Sequence, residues 1–144
     1  MKKLLSFILL ALTMMVANAA FAATTNPPPG APGYLVLPFQ ISQQFTTTTA
    51  GVVRFKAPFG CRVMSVSASA RASGGTTPTL TVNVKEAGTT ILSAPVAVTA
   101  GTVSEAVISD TRIADEAEMT IDLAIGGTTP TWNDITVILV LKRL

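Results

Sequence analysis

Apolar residues recur at every second position over several stretches of this chain, a period that admits little besides β-structure. Leu80, Val82 and Val84 alternate with Thr81, Asn83 and Lys85; Met119, Ile121, Leu123 and Ile125 alternate with Glu118, Thr120 and Asp122. Side chains two apart share one face of a strand, whereas a helix needs a period of 3.6. Residues 62–72 predict the clearest strand, with Met64, Val66, Ala68 and Ala70 on one face and Val63, Ser65, Ser67, Ser69 and Arg71 on the other. Runs rich in Val, Ile, Thr and Phe also occupy 34–39, 51–57, 90–98, 102–108 and 132–142, and Pro95 places its run at an edge or bulge. The expectation is an all-β fold, an eight-stranded antiparallel β-sandwich of jelly-roll or Greek-key topology. An outer-membrane barrel needs longer strands and aromatic girdles, which one Trp, one Tyr and six Phe do not supply.

The hexapeptide Gly-Gly-Thr-Thr-Pro-Thr occurs twice, at 74–79 and 126–131, each time between an alternating strand and another run of β-formers. Paired glycines permit positive φ, and Pro disfavours helix in the residue before it. The expectation is a duplicated hairpin with two equivalent stiff turns at corresponding corners of the sandwich. Thr76, Thr77, Thr128 and Thr129 would then form a candidate binding rim. The last strand breaks the alternation, because Ile135, Val137, Leu139 and Leu141 on one face are matched by Ile138 and Val140 on the other. Such a strand is either central and covered on both sides, or Ile138 and Val140 belong to an apolar contact between subunits.

At the amino terminus, Met1-Lys2-Lys3 precedes an apolar run over 4–16 and small residues through Ala22, with Ala20-Phe21-Ala22 matching a signal-peptidase site. The expectation is a signal peptide at 1–22, cleaved before Ala23, and an exported protein of the periplasm, extracellular space or virion surface. Left uncleaved, this segment would be the chain's only membrane contact. Residues 23–33, ATTNPPPGAPG, read as a Pro-rich linker or arm, and 34–144 as a single β-sandwich domain. The formal net charge is +2, from 10 basic and 8 acidic residues. Loss of Lys2 and Lys3 makes the mature chain neutral, so the field that attracts nucleic acid is missing. Nucleic acid is therefore not an expected partner.

With no His and one Cys, neither Ser-His-Asp nor Cys-His catalysis can be assembled, nor a zinc site with imidazole ligands. The expectation is no enzyme, no cofactor and no metal. Asp110, Asp115, Glu116, Glu118 and Asp122 match no calcium loop and read as a solvated turn and strand face. Cys61 cannot form an internal disulfide, which leaves a buried thiol or a cross-link between subunits. Trp132 has two readings, a sugar-stacking platform flanked by Asn133 and Asp134, or a plug at the end of the core. Tyr34 and Phe39 pin the first strand or, with the Pro-rich arm, cross to a neighbouring subunit.

The order Lys56-Ala57-Pro58-Phe59-Gly60, a strand, GGTTPTLTVNVKEAGTTIL at 74–92, IADEAEMTIDL at 113–123 and a closing Ile135-Thr136-Val137 resembles small jelly-roll modules of tailed-phage virion proteins. That resemblance implies a capsid-decoration or tail-fibre role, in which modules assemble and bind surfaces without catalysis. The functional expectation is a non-catalytic exported structural protein working as a homo-oligomer or within a virion or extracellular assembly. The alternative is a carbohydrate-binding or adhesion module, with a glycan held by the Thr-rich loops, Trp132 and Asn133.

Overall fold

The computed structural model describes residues 33–144; the expected signal peptide and all of the expected arm except Gly33 lie outside the described residues. Eight strands follow: β1 (Tyr34–Phe45), β2 (Thr49–Lys56), β3 (Cys61–Glu86), β4 (Thr89–Thr90), β5 (Val96–Val98), β6 (Val103–Glu105), β7 (Arg112–Ile113) and β8 (Glu118–Arg143). Every ladder between them is antiparallel. β3 and β8, 26 residues each, pair along their whole length. β1 lies along the carboxy-terminal half of β8 and β2 along its amino-terminal half, while β4 to β7 line the far edge of β3. Among the described residues no helix is long and apolar enough to cross a membrane.

The all-β, eight-stranded antiparallel expectation holds, with the strands divided differently. Residues 62–72 and 80–85 are two halves of β3, and 119–125 and 132–142 are two halves of β8. The hexapeptides are not hairpin turns, because they pair with each other inside the ladder: Gly74 faces Thr131, Thr76 faces Thr128, and Thr79 faces Gly126. On one side of the Thr76–Thr128 pair, Thr129 and Pro130 oppose Gly75 alone. On the other, Thr77 and Pro78 oppose Gly127 alone. Each repeat thus contributes a two-residue bulge opposite the second glycine of the other, a local two-fold relation that accounts for the duplicated sequence. Backbone angles repeat with it, φ being 98° at Gly75 and 113° at Gly127, and 48° at both Thr77 and Thr129. Proline, which has no N–H to donate, falls in the bulge, where a ladder bond is missing in any case.

These paired bulges fold the ladder over on itself. Phe39 pairs with Val137 and Phe55 with Met119, partners that a straight β8 would hold about 60 Å apart. Their rings nonetheless meet, with centroids 4.9 Å apart. One half of the ladder therefore covers the other, and the core lies between them. Val66, Val82, Val84, Ile121, Ile135, Val137 and Leu139 are wholly enclosed there. The third long path, β1 into β2, turns at the same level, where Thr48 accepts the Ile125 N–H (3.0 Å) and donates to the Ile125 carbonyl (3.3 Å).

In β3 the expected faces need one correction. Val63 is buried in the core with Val66, Ala68 and Ala70, while Met64 is half-buried. The register shifts between Val63 and Ser65, so Met64 is the extra residue of a bulge that exchanges the two faces at that point. Cys61 is fully buried in the same core, free, and its thiol is pushed up by burial and then by the Glu86 carboxylate. That position takes it out of reach as a cross-link between folded subunits.

Candidate functional site

The two outer faces of the folded ladder differ in charge. On the half built from β2, the amino-terminal part of β8 and the adjacent part of β3, ionic groups pair among themselves. Arg54 meets Glu118 at 3.1 Å, Lys56 meets Glu116 at 3.4 Å and Lys85 meets Asp122 at 2.7 Å. The first two pairs are exposed and add only about 0–1 kcal/mol each, while Lys85 and Asp122 are partly enclosed. This confirms the reading of Glu118 and Asp122 as a polar strand face.

Asp122 is the most enclosed of these carboxylates. Burial pushes it up, but the Lys85 ammonium, the Gly51 N–H at 2.6 Å and the Arg54 guanidinium together outweigh that and hold it below the ordinary range. A carboxyl depressed in the folded state stabilises above its unfolded value of about 3.9, and the contribution is lost as pH falls through the lower folded value. Asp122→Asn is expected to cost about 1–3 kcal/mol at pH 7, the range for a hydrogen bond to a charged group. Denaturant midpoints taken at pH 7 and near pH 3 should show the gap from the parent protein narrowing in acid; an equal gap at both would refute the assignment.

The opposite outer face is built from β1, the carboxy-terminal half of β8 and the first half of β3. Cross-strand partners fall in rows: Val36–Val140–Ser65, Pro38–Ile138–Ser67 and Gln40–Thr136–Ser69. None of these nine residues is ionisable. Val36 is 42% exposed, Ile138 half-buried, and Val140, though only 4% exposed, stands outside the core cluster. The last strand is therefore central in the sheet, between β1 and β3, and also carries apolar groups on its outward side. At the far end of the face a fourth row joins Tyr34, Lys142, Arg62 and Arg112, with the Lys142 ammonium 5.5 Å from the Tyr34 ring centroid.

Of the expected contact residues, Tyr34, Ile138 and Val140 share this face, whereas Phe39 does not. Its ring packs on Phe55 and on the core, because positions 35, 37, 39 and 41 of β1 point inward. Of the expected ligand-binding residues, Thr76, Thr77, Thr128 and Thr129 are brought together at the fold corner and are all exposed. Asn133 is half-buried. Trp132 is 2% exposed and presents no ring face to a sugar, so the core-plug reading stands and the stacking platform is withdrawn.

At the corner end of this face, and sharing its Gln40–Thr136–Ser69 row, lies a concavity of about 500 Å³ lined by Gln40, Ser69, Ala70, Arg71, Gly101, Thr102, Val103, Asp134 and Thr136. The Arg71 Nε donates to the Asp134 carboxylate at 2.7 Å. Asp134 has φ of 50° and lies beside a break in register between Ile41 and Gln44 of β1. Left-handed backbone at a non-glycine residue costs about 1–3 kcal/mol, and an exposed ion pair returns about 0–1 kcal/mol. The bulge in β1 opposite Asp134 accounts for this backbone, as the corner bulges do for Thr77 and Thr129, and Asp is among the residues that adopt it most readily. Sequence reasoning noticed Asp134 only as a neighbour of Trp132 and missed Gln40, Arg71 and Thr136, because nothing in a single strand reveals which residues of other strands share its row. Among the described residues, no group of three or more His, Cys, Asp and Glu could hold a metal ion.

No protein-family model and no curated protein matches the sequence. Among solved structures, the chain is similar to one described as the cyanophage Pam1 capsid asymmetric unit, with 20% identity and a TM-score of 0.47 over 83% of this chain and 92% of that one.

Proposed function

We propose that this chain is a non-catalytic structural protein that works by assembly, using the uncharged patch on the outer face of β1, β8 and β3 as the contact between copies. The single observation behind this reading is the contrast between the two outer faces. One carries three self-paired ion pairs, and burying it would strip water from six charged groups. The other keeps its charges, Arg62, Arg112, Lys142 and Glu105, at the rim of a nine-residue patch of Ser, Thr, Gln, Pro, Val and Ile, and depletion of charge at the centre is what distinguishes the core of a protein interface. A decorating subunit on a virion surface is the form of assembly we favour, in keeping with the strand-and-turn order that resembles phage virion modules. Export after cleavage before Ala23 belongs to the same proposal, and the intact mass of the purified protein checks it.

The test is light scattering on the exported protein. We expect a homo-oligomer at micromolar concentration. Ile138→Lys, at the centre of the patch and outside the core, should weaken association at least 30-fold, equivalent to about 2 kcal/mol. Lys56→Glu on the opposite face should leave it unchanged. A monomer at every concentration reached, or an oligomer indifferent to Ile138→Lys, would sink the proposal.

A further inference from the structure

We propose that the concavity beside Asp134 is a binding site for a neutral hexopyranose chain. Its long side is a single cross-strand row, Gln40–Thr136–Ser69–Val103, and its end is closed by the Arg71–Asp134 pair. The row supplies an amide and two hydroxyls, each able to donate and accept, as a sugar hydroxyl also does. The ion pair sets a carboxylate acceptor next to a guanidinium donor, which is what two adjacent hydroxyls of a pyranose ring need. Val103, 70% exposed, gives an apolar surface for the C–H face of the ring, and Gly101, with open space around its Cα, leaves room for it. The size, about 500 Å³, falls within the usual range of small-molecule sites.

The chemistry disfavours other ligands. Asp134 would repel a phosphate or sulfate, and its carboxylate already neutralises Arg71. The Arg71 contact at 2.7 Å holds the Asp134 carboxylate at the wall of the concavity. The concavity shares the Gln40–Thr136–Ser69 row with the proposed contact face, whose centre at Ile138 lies one row away along the strands, so a sugar and a neighbouring copy would compete for that row.

The experiment is saturation-transfer NMR on the full exported protein with maltotriose, cellotriose and mannotriose as probes. At least one should receive saturation and show a measurable affinity. Asp134→Gly suits the positive φ, so it should keep or raise the melting temperature while cutting affinity at least 10-fold. Gln40→Ala should do the same to affinity, whereas Thr81→Ala on the opposite outer face should not. No transfer to any of the three, transfer unchanged in Asp134→Gly and Gln40→Ala, or a marked fall in melting temperature in Asp134→Gly would each overturn the proposal. Light scattering on the same samples, with saturation transfer repeated on Ile138→Lys to free the shared row, reports the two readings separately, so failure of one is not mistaken for failure of the other.

Discussion

Gly75→Ala and Gly127→Ala are each expected to destabilise the protein by about 2–5 kcal/mol, by nearly equal amounts. The magnitude combines left-handed strain with overpacking against groups that cannot move away. A Cβ at Gly75 would meet the Thr129 carbonyl oxygen and lie 2.7 Å from that of Thr128; one at Gly127 would lie 2.6 Å from the Thr77 carbonyl oxygen and 3.0 Å from the Pro78 Cα. All of these are backbone atoms of the opposing bulge, so relief requires the fold corner itself to open. The φ values of 98° and 113° lie beyond the left-handed region that alanine tolerates. Gly88, also at positive φ but with nothing near its Cα, gives the comparison: Gly88→Ala should cost only about 1 kcal/mol. Urea unfolding of the three variants decides it. Corner variants no worse than Gly88→Ala would show that the bulges are not what bends the ladder.

That corner also marks the boundary of what a single sequence discloses. Alternation at 80–84 and 119–123 identified strands and their buried faces because period two is a local property, and the structure keeps Leu80, Val82, Val84, Ile121 and Leu123 in the core. Equivalence of the two hexapeptides was legible as well, since both glycines, all three threonines and the proline recur in order. Their pairing with each other was not, because 74–79 and 126–131 are brought together by β3 and β8 running antiparallel over 26 residues, a long-range relation that no window of residues contains. The same limit hid the bulge at Met64, which looked like an ordinary member of its alternating run. It also hid the division of the outer surface into a self-paired ionic face and one whose centre is uncharged. Ile138 and Val140 stood out because they broke a pattern on their own strand. Gln40, Ser69 and Thr136 are unremarkable on theirs and become a row only through register.

Trp132 supplies the other large effect, and its two substitutions should separate sharply. The indole is 2% exposed, beside Phe45 at 5%, and its Cα partners are Phe45 on β1 and Ser73 on β3, next to the fold corner. Trp132→Ala would empty the largest side chain from that end of the core, at a cost of about 3–5 kcal/mol. Yet the indole Nε1 is buried with no hydrogen-bond partner, and an unsatisfied buried donor carries a penalty of about 1–3 kcal/mol. Trp132→Phe removes that donor while keeping most of the ring, so the lost volume and the relieved penalty should nearly cancel. Thermal unfolding is expected to place Trp132→Phe close to the parent protein, with Trp132→Ala lower by more than about 10 °C. Should the alanine variant fail to fold at all, the phenylalanine variant still carries the test. If it proves as damaging as alanine, the indole N–H carries no penalty that phenylalanine can relieve, and the expected cancellation fails.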